Sequence, residues 1–139
     1  MFVDASVIVA ILIREPGWEE LVKQLTDGQG EAHVSPLVRF EAVMSVARSL
    51  AGGERKPSPE LVLQAHAVVD DFLVEIDATE IPISAEIGTA AIEAARRYGK
   101  AVGHPADLNF GDCFAYACAK ALKAKLAYKG GDFAQTDLA

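Results

Sequence analysis

Apolar positions along this chain come in short bursts whose spacing switches between that of a strand and that of a helix. Residues 1–4 predict a short strand and residues 6–13 an apolar helix, which REPG breaks with Pro16 and Gly17. Trp18, Leu21, Val22 and Leu25 fall at helical spacing, and DGQG closes that second helix. A strand over 32–34 runs into SPLVRFEAVMSVARSL, where Ser35 is a good N-cap and Pro36 suits the first helical position. GGERKPSP is the clearest loop, and Pro59 opens a helix that runs to about residue 73. EIPI, residues 80–83, predicts a third strand, and Ser84 caps a helix that ends near Tyr98. GKAVGHPADLNFGD is irregular and FAYACAKALKA is helical. Residues 125–129 form a last short strand before a polar ending, KGGDFAQTDLA. Strands alternating with helices predict an α/β sandwich with a mostly parallel sheet, and 139 residues fit a single domain, 1–139.

That order gathers acids at one edge. In a parallel α/β sheet the strands end, and the next helices begin, where ligands bind. Asp4 follows directly on apolar Phe2 and Val3, a costly place for an ionised carboxylate without a compensating partner. Glu41 stands about two turns into the helix after the second strand, on a stripe with Leu37 and Met44. A helix of about 12 residues from Asp112 travels roughly 18 Å from the edge, and the strand over 125–129 returns roughly 16 Å. Asp112 and Asp132 should therefore meet again beside Asp4. Two like charges about 4 Å apart repel by roughly 4 kcal/mol at an effective dielectric near 20. Asp4, Glu41, Asp112 and Asp132 together therefore call for a divalent cation, and oxygen-only ligands select Mg²⁺ or Mn²⁺.

Each acid has a purely structural alternative. Asp4 suits a turn or the N-cap of the following helix, and Glu41 could pair with Arg48. Asp112 could complete a capping box with Asn109, a role compatible with metal binding, and Asp132 follows the turn-forming pair Gly130 and Gly131. Ser6 reads as a helix cap rather than as a residue beside a metal. His104 precedes Pro105 in the irregular stretch and reads as a loop residue, while His33 and His66 show no ligand spacing. Tyr116 and Phe114 suit the core.

Composition changes the picture little. There are 20 acidic and 13 basic side chains, a formal net charge of −7. That argues against a generic nucleic-acid binder, which presents a basic face, but not against an enzyme that concentrates acid around bound cations. Cys113 and Cys118 have neither zinc nor thioredoxin spacing and read as small buried hydrophobes. No apolar run reaches the roughly 18 residues that span a bilayer, nor is there a signal-peptide pattern, so a cytoplasmic protein without membrane contact is expected.

MFVDAS at the start, SPLVRFEAVMSVAR near residue 40 and LNFGDCFAYACAKALKAKLAYKGGDF near the end resemble, in order and spacing, the PIN-domain ribonucleases. The resemblance covers essentially the whole chain, is most specific in the last segment, and is nearest to the VapC toxins of toxin–antitoxin pairs. It implies a three-layer α/β/α sandwich around a short parallel sheet. It also implies that Asp4, Glu41, Asp112 and Asp132 are metal ligands, with Ser6 the small polar residue beside the first. The function implied is a Mg²⁺- or Mn²⁺-dependent endoribonuclease with one or two ions, cutting tRNA or ribosomal RNA to leave a 5′-phosphate. The partners implied are a VapB-like antitoxin whose tail occupies the acidic groove, and a second copy in a homodimer. Gly131 stands where many relatives carry another acid or an Asn, which bears on a second metal, and Asp137 has no metal role to which it can be assigned.

The expected chemistry is in-line attack by a metal-activated water, with no need of a His, Ser or Cys nucleophile. Arg14, Arg39, Arg48 and Lys129 are the candidate phosphate contacts. Two other classes stand against this reading: a catalytically silent PIN-like binding module, and a phosphohydrolase acting on small phosphate esters. Retention of all four acids counts against the first. Ser6, where a haloacid-dehalogenase-like enzyme carries a second Asp, counts against the other.

Overall fold

Phe2 and Val3, both fully buried, form β1 (Phe2–Val3) at the interior of a four-stranded sheet. The structure is a computed structural model that describes residues 1–28 and 30–138. Gln29, in the DGQG turn expected after the second helix, and Ala139, at the end of the polar tail, lie outside the described residues. After β1 come α1 (Ala5–Leu12), α2 (Trp18–Asp27), β2 (His33–Val34), α3 (Pro36–Leu50) and α4 (Pro59–Glu75). Then follow β3 (Thr79–Glu80), α5 (Ala85–Tyr98), α6 (Phe110–Leu122) and β4 (Leu126–Ala127), with short 3₁₀ turns at Lys100–Val102 and Asp132–Gln135.

Helix starts follow local chemistry. The hydroxyls of Ser35, Ser58 and Ser84 each accept from a backbone N–H three residues on, at 3.2 Å, and proline follows directly in α3 and α4. Strands are shorter than their apolar runs. The third strand is Thr79–Glu80 rather than EIPI: Ile81 still donates its N–H to the Val34 carbonyl at 2.9 Å, but Pro82 has no N–H and pairing stops. The last strand occupies only Leu126–Ala127 of the expected 125–129, although Phe2 N–H also bonds the Lys125 carbonyl at 2.8 Å. The last long helix starts at Phe110, so FGD belongs to it rather than to the irregular stretch.

All pairings are parallel, in the order β3-β2-β1-β4, with Phe2 opposite both His33 and Leu126. The chain moves outward from β1 to β2 to β3, then jumps back to place β4 on the other side of β1. Right-handed crossovers in opposite directions put helices on both faces, which makes the three-layer sandwich. One group packs α3 against α1 and α4, and the other packs α5 on α6 and α6 on β1 and β4. The reversal falls between β1 and β4, where open α/β sheets form a crevice at the strands' carboxyl ends. Cys113 and Cys118 are buried free thiols, as expected of packing residues.

Candidate active site

Above that crevice lies an open cavity of about 610 Å³, lined by Asp4, Glu41, Asp112 and Asp132 among others. Each acid is put there by a different element. Asp4 leaves β1 and caps α1, its Oδ2 accepting from Ser6 N–H at 2.9 Å. The Ser6 hydroxyl in turn accepts from Lys129 N–H at 3.0 Å, tying the exit of β4 to the start of α1. Glu41 projects from α3. Asp112 sits in the first turn of α6 in a reciprocal capping box: Asn109 Oδ1 accepts from its N–H at 3.0 Å, and its own Oδ2 accepts from Asn109 N–H at 2.8 Å. Asp132 opens the last 3₁₀ turn, anchored by buried Phe133. The cap roles of Asp4 and Asp112 thus coexist with their place in the cavity.

The electrostatics follow from burial. Asp4 is almost wholly buried, and desolvation raises its pKa against the lowering effect of the Ser6 hydrogen bonds, with Asp132 adding repulsion. Glu41 is raised to about 7, first by burial and then by the charges of Asp4 and Asp112. Asp112 is raised to about 6 by burial, which outweighs its bond from Asn109, with Asp4 and Asp132 adding to the rise. As they stand, no three His, Cys, Asp or Glu side chains among the described residues are grouped closely enough to hold a metal ion, so the four acids share the cavity without forming a coordination cage. The donors are all oxygen, and among the described residues no lysine or arginine is bonded to any of the four, so the chemistry of the set fits a hard divalent cation.

Of the four candidate phosphate contacts, Arg48 and Lys129 line the cavity, while Arg14 and Arg39 do not. Arg14 stacks over Trp18, 5.4 Å from the ring centroid. Arg39 makes a two-pronged bond to Asp70 at 2.7 Å and reaches His66 at 2.9 Å, joining α3 to α4. Lys129 is paired with Glu15. The Glu41–Arg48 pair is replaced by a bond from Arg48 to the Ser45 hydroxyl at 3.0 Å. His104 is a loop residue, its ring accepting from Ala106 N–H at 3.0 Å, and His33 and His66 lie outside the cavity. Asp137 has a structural use: it accepts from the Tyr116 hydroxyl at 2.6 Å and from Lys120 at 3.0 Å, pinning the C-terminal segment to α6.

Two residues escaped the reading of the sequence. Gly111 carries the Glu41 carboxylate on its bare backbone, and a Cβ there would stand 2.0 Å from Glu41 Oε1. A glycine in the first turn of a helix signals close approach, so NFGD held the clue. Glu15 engages Lys129 across 114 residues of chain, and nothing local announces it.

The PIN domain family matches residues 1–138. A VapC ribonuclease of Rhizobium meliloti (strain 1021) is 52% identical over 139 residues, covering 99% of this chain and 98% of the relative. Ribonuclease VapC42 of Mycobacterium tuberculosis (strain ATCC 25618 / H37Rv) is 32% identical over 139 residues, covering 99% and 96%. In fold, the crystal structure of Mycobacterium tuberculosis VapC20, described as a Sarcin-Ricin loop cleaving toxin, matches with a TM-score of 0.66 at 15% identity, over 96% of this chain and 92% of that one. Sequence, topology and acidic crevice agree: the chain belongs to the PIN-domain VapC ribonucleases, the toxin members of toxin–antitoxin pairs.

Proposed function

We propose that this cavity hydrolyses RNA phosphodiester bonds endonucleolytically, with Asp4, Glu41, Asp112 and Asp132 holding one or two Mg²⁺ or Mn²⁺ ions. The observation that carries the reading is the meeting of four carboxylates from four separate segments in one open cavity, three of them with raised pKa. A cation held by these four carboxylates would supply positive charge for the scissile phosphate and lower the pKa of a water for in-line attack. The chain supplies placement. Asp4, lining the cavity, is held by Ser6, and Asp112 commits Oδ2 to the helix cap while its Oδ1 accepts no hydrogen bond among the described residues. Glu41 rests against Gly111 and faces the same space. Because Glu41 and Asp112 hold protons up to about pH 7 and about pH 6, loading the site displaces protons near neutrality.

Single-stranded or looped segments of tRNA or ribosomal RNA are the substrate class, and the product carries a 5′-phosphate. A VapB-like antitoxin occupying the groove is the inhibitor, and a homodimer in the cytoplasm is the working unit. Purified protein should cleave RNA in Mg²⁺ or Mn²⁺, and EDTA, Asp4→Asn and Asp112→Asn should each abolish cleavage. Cleavage that survives EDTA or both substitutions overturns the reading.

A further inference from the structure

The outward side of α3 carries groups that the carboxylate chemistry does not use. Phe40, Met44 and Arg48 follow one another at intervals of four and line the cavity, on the side of α3 away from buried Val38, Ala42 and Val46 and bordered by buried Val43 and Ala47. Phe40 is 62% exposed and has no aromatic partner among the described residues. Exposed Phe110, by contrast, packs on Phe114 with ring centroids 5.1 Å apart. Among the described residues Arg48 donates only to the Ser45 hydroxyl, which steers it without neutralising it, whereas the other cation lining the cavity, Lys129, is engaged by Glu15. Among the described residues the crevice therefore has one ring without an aromatic partner and one guanidinium without a carboxylate, on the same helix. Phe40 immediately precedes Glu41, and Arg48 lies roughly 12 Å from Phe40 along the axis.

We propose that the Phe40–Met44–Arg48 stripe is a nucleotide subsite: an unpaired base stacks on Phe40 and Met44, and Arg48 contacts a phosphate of the same strand. The inference rests on the ribonuclease reading and names how the substrate is held. Phe40 lines the same cavity as the four acids, so a strand whose scissile phosphate lies beside them can lay a neighbouring base on its ring. The guanidinium at the far end of the stripe suits an anionic strand rather than an apolar peptide. A base inside a duplex has no free face to offer the ring, so the subsite selects single-stranded or looped RNA. Stacking accepts any base, so the subsite adds affinity without reading sequence.

The test is steady-state cleavage of a 5′-labelled, mixed-sequence oligoribonucleotide of about 20 nucleotides, a length well beyond one such subsite. Mn²⁺ affinity and thermal unfolding are measured on the same proteins. Phe40→Leu, which keeps apolar bulk but removes the aromatic face, should raise KM about 10-fold with kcat, Mn²⁺ affinity and melting temperature little changed. Phe40→Trp should restore wild-type KM. In a non-cleaving Asp4→Asn background, the new indole should be quenched when the oligonucleotide binds. Arg48→Ala should raise KM and lower the salt dependence of binding by about 0.7 in log–log slope. An unchanged KM in Phe40→Leu, equal losses in the Leu and Trp variants, or loss of antitoxin inhibition with KM intact overturns the subsite and leaves the ribonuclease reading standing. Wild-type protein that neither binds nor cuts the oligonucleotide overturns both.

Discussion

A Cβ on Gly111 would meet Glu41 Oε1 at 2.0 Å and Oε2 at 2.7 Å, so the missing side chain is what lets the Glu41 carboxylate lie on the first turn of α6. Gly111→Ala should therefore separate stability from function. Alanine favours a helix over glycine by about 1 kcal/mol, and the colliding group is the free end of a side chain, so the melting temperature should hold or rise. Mn²⁺ affinity should fall by about 10-fold as Glu41 is displaced. Shortening the acid, as in Gly111→Ala/Glu41→Asp, should recover part of that loss. Titration of the metal in parallel with thermal unfolding tests both signs. The pH dependence is also set here. Glu41 and Asp112 are raised to about 7 and about 6 from ordinary values of 4.5 and 3.8. Groups raised on folding contribute stability in full below their unfolded values and lose it as pH climbs through the folded ones. Metal-free protein should accordingly lose thermal stability from about pH 4 to pH 8, and Glu41→Gln should flatten the upper part of that fall. A pH series of melting curves in EDTA is the measurement.

At the scale of the element, the caps are shared between folding and chemistry. The start of α6 is closed by Asn109, whose side chain holds Asp112 N–H while its backbone N–H holds Asp112 Oδ2. Asn109→Ala should cost about 1 kcal/mol in urea unfolding and should also lower kcat, because the turn that aims Asp112 frays. Asn109→Ser should keep most of both. Helix starts of this kind were legible in the sequence because Ser35-Pro36, Pro59, Ser84 and Asn109 act within three residues of themselves. Strand limits were not. Ile81 and Ile83 look like strand, yet pairing depends on a partner's backbone and on Pro82 lacking a donor.

For the whole molecule, the reversal of strand order places β1 beside β4 and so brings Asp4 and Asp132 together from the two ends of the chain. A cation bound among segments so distant should act as a clasp. At about 100 times its dissociation constant Mn²⁺ should add about 2.7 kcal/mol of stability, seen as a rise in melting temperature that EDTA reverses and Asp4→Asn abolishes. A melting temperature insensitive to Mn²⁺ in the wild-type protein would contradict a metal-bridged crevice.

Alternating short elements, capping residues and acids at element ends were written in the residues themselves, since each rests on neighbours a few positions apart. That was enough to bring Asp4, Glu41, Asp112 and Asp132 to one edge on paper. Which of the candidate cations are engaged elsewhere was decided only in three dimensions: Arg39 is held by Asp70, 31 residues away, and Lys129 by Glu15, 114 residues away, while among the described residues no carboxylate holds Arg48. The bed of Gly111 beneath Glu41 belongs to the same class. Such pairings depend on where distant surfaces come to rest, and a period or a spacing along the chain carries no record of that.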